Sequence, residues 1–139
     1  MSISLKPCEK TDWDTILEFR NEFYPMFYKQ TSQISQKEHY EYMEKQMSNP
    51  DFHHWMILND NEIAGYTRIL DNDVGIMIKK EHQNKGIATK ALSQVEILAK
   101  ELGLKKLIAL VKAENEESKK IFLTNDYSLK LYWYEKDIS

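Results

Sequence analysis

Cysteine occurs once among the 139 residues, at Cys8, so no internal disulfide can form and nothing points to an oxidising compartment. Cys8 and the four histidines show no recognised zinc spacing, and no metal site is expected. Glycine (4) and proline (3) are scarce, and neither a linker rich in them nor a repeat divides the chain. One domain over residues 1–139 is the expectation. No apolar run approaches the roughly 18 residues of a spanning helix, and "MSISLKPC" lacks the apolar core of a signal peptide. A soluble, cytoplasmic protein without a membrane partner is expected. A basic surplus is missing too: the net charge of −3 argues against a dedicated nucleic-acid binder.

What is present suits a packed core, with 42% hydrophobic and 12% aromatic residues. Charge is unevenly spread. From Lys79 to Lys120 there are 10 lysines against 6 acids, while the remainder carries 9 basic and 16 acidic residues. That stretch is fit to receive an anion.

Alternation of Ile3 and Leu5 with polar residues predicts a short strand stopped by Pro7. "TDWDTILEFRNEF" predicts a helix with Thr11 as N-cap, ended or interrupted by Pro25. "SQKEHYEYMEKQM" predicts a second helix, with Ser35 and Glu38 in a capping-box pattern and Tyr40, Met43 and Met47 along one face. "HHWMILNDNEIAGYTRIL" reads as a hairpin turning at Asn59, Asp60 and Asn61, and "DNDVGIMIKK" as a further strand. Ala88, Ala91, Leu92, Val95, Leu98 and Leu102 recur at steps of three and four, giving the best helical pattern, which Gly103 stops. "KKLIALVKA" reads as a buried strand, "NEESKKIFLTND" as a short helix with Asn115 as N-cap, and "YSLKLYWYEKDIS" as a final strand. The order β-α-α-β-β-β-α-β-α-β describes a mixed α/β domain, with a parallel crossover between Asp73 and Lys112.

Within "EHQNKGIATKAL", Gly86 opens the strongest helix directly after a strand. Free N–H groups and partial positive charge at such a helix start suit a phosphate, and a glycine admits it closely. Neither G-x-x-x-x-G-K-[ST] nor G-x-G-x-x-G is present, so the residues alone leave a phosphate cradle and a plain strand-to-helix turn both open. "QNKGIA", Gln83 to Ala88, resembles the Q/R-x-x-G-x-G/A acyl-CoA loop of the GNAT N-acetyltransferases, and "NEESKKIFLTNDY", Asn115 to Tyr127, is similar to that family's second signature. The resemblance covers essentially the whole chain and implies a mixed central sheet of about six strands flanked by about four helices.

The resemblance further implies acetyl-CoA as co-substrate. Backbone around Ile76, Met77 and Ile78 would contact the pantetheine arm, and Gln83, Lys85, Gly86, Ile87, Ala88 and Thr89 would cradle the pyrophosphate. Asn115 would hydrogen-bond the cofactor beside Ser118 and Lys119 or Lys120. The strands holding Met77 and Ala109 would splay to admit the arm. Phe122 stands where many members have a tyrosine taken to protonate the leaving thiolate, and it has no proton to give.

Acetyl transfer needs a neutral amine and a route for its proton. Asp73, at the start of the strand leading to the loop, matches the position of acids that act as base in the family; the plainer reading is a turn aspartate. His39, His53 and His54 are further candidates because imidazole titrates near neutrality, though His53 and His54 would point to opposite faces of a strand. "FRNEFY", "ISQKEHYEYM" and "GYTR" resemble elements of the branch that acetylates nucleotide-linked amino sugars, as in pseudaminic acid pathways. Arg20, Asn21, Tyr66 and Arg68 then become substrate-side candidates, an arginine fork suiting a diphosphate. The expected partner is a small-molecule amine. A protein or peptide acceptor, as in ribosomal-protein relatives, and a non-catalytic acyl-CoA-binding module are the alternatives. The aromatic final strand is suited to packing against a second copy in a homodimer.

Overall fold

The computed structural model describes residues 1–28 and 30–138. Four antiparallel strands form one sheet in the order β1 (Ile3–Pro7), β2 (Phe52–Asn59), β3 (Glu62–Leu70) and β4 (Asp73–Ile78). Four α-helices accompany it: α1 (Trp13–Phe23), α2 (Gln36–Met47), α3 (Ile87–Glu101) and α4 (Glu116–Thr124).

The hairpin turn is where its residues dictate. Asn59 pairs with Glu62, leaving Asp60 and Asn61 as a two-residue loop at φ 50 and 70, the left-handed pair that matches strand twist. β3 and β4 are joined by a second two-residue loop, Leu70 standing opposite Asp73, in which Asp71 (φ 59) but not Asn72 is left-handed.

Strand alternation then assigns the two faces. Met56, Tyr66 and Met77 stand in register across β2, β3 and β4, and α1 and α2 cover that row with Trp13, Ile16, Phe19 and Met43. On the other face Trp55, Ile69 and Val74 pack with Leu92, Val95 and Ala99 of α3 and Phe122 of α4. Each such side chain, fully buried, contributes about 1.5–3 kcal/mol of transfer free energy. The result is two helix layers around one sheet.

Helix starts depart from expectation in one place. The predicted cap, Thr11, lies inside a 3-10 turn (Lys10–Asp12), and α1 begins at Trp13. Asp12 instead accepts from the Glu9 N–H (2.9 Å) and from Lys6 (3.1 Å). The helix ends at Phe23, and Pro25 sits in a further 3-10 turn, Tyr24–Met26. At α2 the predicted cap is present, Ser35 Oγ accepting from the Glu38 N–H at 3.1 Å. The face that α2 buries carries His39 and Met43, whereas Met47 is exposed.

Four strands, not six, form among the described residues. Residues 104–112 touch the sheet at a single parallel bridge, Ile108 with Asp73, which is all that remains of the expected crossover strand. The final segment forms no ladder through residue 138, and Ser139 lies outside the described residues. Both runs have strand composition, but a strand exists only through a hydrogen-bonded neighbour, and neither run has one along its length.

Candidate functional site

The site is built on the open edge of β4. The Val74 N–H donates to the Ile108 carbonyl (2.9 Å), and the Ile108 N–H donates to the Asn72 carbonyl (2.8 Å). Past that point residues 109–112 leave β4 without a further ladder among the described residues. Backbone groups alternate edges along a strand, so the N–H of Ile76 points to the same edge as that of Val74 and faces the gap.

A cavity of about 460 Å³ occupies this gap. Ile76 and Met77 wall it from the sheet, Leu110 and Val111 from the diverging segment, and Asn115, Ser118 and Phe122 from α4. Arg20, Tyr66, Arg68 and Asp73 line its other side. Residues expected on the cofactor side and on the acceptor side therefore share one space.

At the far end of β4, Gln83 Nε2 donates to the Ile78 carbonyl at 2.9 Å and ties the loop to the strand. Asn84 and Gly86 both have positive φ, 62 and 78. The first helical bond of α3 runs from the Lys90 N–H to the Gly86 carbonyl (3.2 Å), and among the described residues no side chain caps the helix. The N–H groups of Ile87, Ala88 and Thr89 are thus not used inside the helix. A Cβ at Gly86 would meet nothing within 4 Å, so the space beside this residue at the helix start is open. The Ile87 and Ala88 side chains are buried, so these residues can serve an anion only through backbone, whereas Lys85 is exposed beside them. Donor set and open space fit a pyrophosphate.

Asn115 is buried and caps α4, its Oδ1 accepting from the Ser118 N–H at 3.1 Å, which leaves its amide nitrogen outside the cap. Lys120 is exposed on α4 and outside the cavity lining.

His39 is fully buried behind the cavity wall. Its Nε2 lies 2.7 Å from the Trp13 carbonyl, which can only accept, and its Nδ1 lies 3.0 Å from Arg20 Nη1, which can only donate. The ring is therefore the neutral Nε2–H tautomer with its lone pair engaged. Burial pushes its pKa below the ordinary histidine value, partly opposed by the bond to Trp13, and the Arg20 charge pushes the same way. Both ring nitrogens are thus engaged, one of them by Arg20.

Arg20 lies over the Tyr42 ring at 4.7 Å and has no carboxylate in ion-pair distance among the described residues. Burial lowers its pKa, and Arg68 adds to that. Arg68 donates to the Asp73 carbonyl (2.8 Å) and meets the Asp73 carboxylate at 3.5 Å. Gly75 sits opposite Arg68, and a Cβ there would come within 3.3 Å of the guanidinium carbon, so the missing side chain makes room for it. Asn21 turns away from the cavity: it accepts from the Ile34 N–H (2.8 Å) and donates to the Ile34 carbonyl (2.9 Å), clamping the 30–34 loop that contributes Gln30 and Ile34 to the wall.

A hydrogen bond not evident from the sequence joins His54 Nδ1 and the Tyr66 hydroxyl (3.0 Å). Burial lowers the His54 pKa to about 4 and raises that of Tyr66, so both are neutral near pH 7. The cross-strand pairing of His54 with Arg68, beside Met56 with Tyr66, was the available signal, but it exists only once register is known. Phe122 is buried against Tyr127, whose hydroxyl is also buried and lies outside the cavity lining.

The acetyltransferase (GNAT) domain family matches residues 2–127. No curated protein matches the sequence. Among solved structures, a domain from Methanocaldococcus jannaschii is 24% identical, with TM-score 0.79 over 91% of this chain and 88% of that one. The spermidine N-acetyltransferase of Vibrio cholerae, solved with CoA and spermine, is 18% identical, with TM-score 0.75 over 87% of this chain and 78% of that one. An aminoglycoside 6'-N-acetyltransferase from Acinetobacter haemolyticus is 17% identical, with TM-score 0.71 over 100% of both chains. At these identities the solved structures show a shared fold.

Proposed function

The chain belongs to the acetyltransferase (GNAT) family and is an acetyl-CoA-dependent N-acetyltransferase, and we propose that its acceptor is the primary amine of a nucleotide-linked amino sugar. The observation that carries this reading is the joining, in one cavity, of the open edge of β4 with two guanidinium groups, Arg20 and Arg68. Two cations on an acceptor wall favour a substrate bearing phosphates over a polycationic one.

Acetyl-CoA supplies an activated acyl group whose thiolate leaves without strong assistance. The chain's own contribution is then mainly positioning and polarisation. The N–H groups at the start of α3 hold the pyrophosphate, with Lys85 adding charge and Gln83 fixing the loop. Ile76, Met77 and Ile78 line the course of the arm, and the Ile76 N–H is aimed to polarise a carbonyl in the gap. Asn115 and Ser118 bound the same course from α4.

On the acceptor side, Arg20 and Arg68 bind phosphate oxygens, and Tyr66 lines the pocket between them. Asn21 acts through the 30–34 loop, and His39 acts through Arg20. Asp73 orients the amine and receives its proton by way of water. Its pairing with Arg68 makes that a modest base, adequate where positioning carries most of the acceleration. In this reading the enzyme is cytoplasmic, engages neither nucleic acid nor membrane, and works as two copies.

Release of CoA thiol with a panel of nucleotide-linked amino sugars, amino-terminal peptides, polyamines and aminoglycosides tests the acceptor. Turnover confined to peptides would replace it with a protein N-acetyltransferase. A second reading, an acyl-CoA-binding module without turnover, is favoured by the hydroxyl-free Phe122 and gains if CoA binds while no amine in the panel reacts.

A further inference from the structure

Gly75 stands in the middle of β4 with no backbone reason to be glycine. Its φ is not positive, unlike those of Gly86 and Gly103, and the pairing of β4 with β3 runs unbroken past it. The Thr67 hydroxyl donates to its carbonyl at 2.8 Å, so the strand is held at this point. A glycine inside a strand weakens it, because backbone freedom is lost and no side chain packs in return. Gly65 has a backbone cause, since a Cβ there would strike the Met77 carbonyl oxygen. At Gly75 the obstacle is a side chain instead: a Cβ would lie 3.3 Å from Cζ, 3.4 Å from Nη2 and 3.6 Å from Nε of Arg68.

Three such similar distances mean that the guanidinium plane lies face-on to the strand. Arg68 reaches there from the residue directly opposite on β3. Its Nη1 donates to the Asp73 carbonyl at 2.8 Å, while both terminal nitrogens meet the Asp73 carboxylate at 3.5 Å, longer than an ordinary charged hydrogen bond. Bond lengths and angles place the Cβ of an extended residue about 3 Å from the next amide nitrogen, so the guanidinium carbon lies within about 6.5 Å of the Ile76 nitrogen. Gly75, Arg68 and Ile76 all line the cavity.

We propose that Gly75 is a positioning residue which, by lacking a side chain, lays Arg68 on β4 and so fixes a short separation between the acceptor's anionic group and its attacking amine. The site is then a ruler with the guanidinium at one end and the Ile76 N–H, where the thioester carbonyl is polarised, at the other. The acceptor class it fits carries a phosphate close to its primary amine. The proposal rests on Arg68 meeting the acceptor's phosphate, as in the function proposed above.

The test compares acceptor kinetics of the native chain, Gly75→Ala, Gly75→Val, Arg68→Met and the double variant Gly75→Val with Arg68→Met. Bulk at this position lifts the guanidinium from the strand. Acceptor kcat/KM is expected to fall from alanine to valine, by about tenfold or more for valine, with CoA affinity unchanged. A β-branched residue suits a strand, so thermal stability is expected to be retained. In the Arg68→Met background the same valine is expected to cost less than about twofold, because the two residues act as one unit. A second arm offers 2-aminoethyl phosphate and 6-aminohexyl phosphate as acceptors. The native chain is expected to favour the shorter by about tenfold or more, and Arg68→Met to erase that preference.

An equal cost of valine with and without Arg68 would mean that it merely blocks the cavity and would overturn the proposal, as would a native chain indifferent to linker length. Native turnover of a nucleotide-linked amino sugar by Gly75→Val would overturn the ruler and leave the proposed acceptor standing. Failure of the native chain on every phosphate-bearing amine would remove both.

Discussion

Arg20 Nη1 donates to Nδ1 of a completely buried histidine, His39, at 3.0 Å, and the same ring holds the Trp13 carbonyl through Nε2 at 2.7 Å. The pair turns a flexible arginine into a fixed one, with no carboxylate in ion-pair distance among the described residues. Replacing His39 with leucine removes the acceptor and leaves a buried guanidinium short of a partner. A hydrogen bond to a charged group is worth about 1.5–3 kcal/mol, so the acceptor KM should rise about tenfold or more while CoA affinity stays put. Steady-state kinetics on both substrates check this, and an equal loss for both would refute the positioning role.

Gly86 stands at φ 78 with open space before it. Valine there costs about 1–2 kcal/mol in backbone strain and adds a branched side chain at the residue that opens α3. Calorimetric titration should show CoA binding at least tenfold weaker. Unchanged affinity would mean that the pyrophosphate lies elsewhere.

His54 and His39 both have folded-state pKa values below the unfolded value, His54 at about 4. A base kept neutral by folding gives stability that is present above its unfolded pKa of about 6.5 and declines as pH falls from there through its folded pKa. Denaturant midpoints should therefore fall between about pH 6.5 and pH 4, and His54→Gln should flatten that slope.

Phe122 offers no proton to the leaving thiolate. A thiol with a pKa near 8.5 leaves far more readily than an alkoxide, so a general acid worth about 10²-fold or more elsewhere has little to add here. Phe122→Tyr should change kcat by less than about tenfold. A much larger gain would mean that the native chain is impaired by its missing hydroxyl, as the binding-module reading requires.

The helix that begins at Ile87 was legible because Ala88, Ala91, Leu92 and Val95 are all buried along one stripe and Gly86 had to take a left-handed conformation. The hairpin at Asp60 and Asn61 was legible for the same local reason. The last two strands were not. Strand propensity in "LIALV" and "LKLYWY" describes what the residues would do beside a neighbour and cannot say whether one is present. For His39, helical spacing reveals the face it shares with Met43 but not that Arg20 and Trp13 meet its ring there. Nor does spacing reveal that the Asn21 amide is bonded to Ile34. The Arg68–Asp73 pair spans a turn, so its closeness follows from register, which sequence alone does not supply.

The most direct test of the central claim is the rate of CoA thiol release with a nucleotide-linked amino sugar, compared between the native chain and Arg20→Ala. Turnover on that acceptor is expected to exceed that on peptides, polyamines and aminoglycosides, with the acceptor KM at least tenfold higher in the variant and CoA affinity unchanged. Equal turnover on acceptors with and without phosphates, insensitive to Arg20, would contradict it.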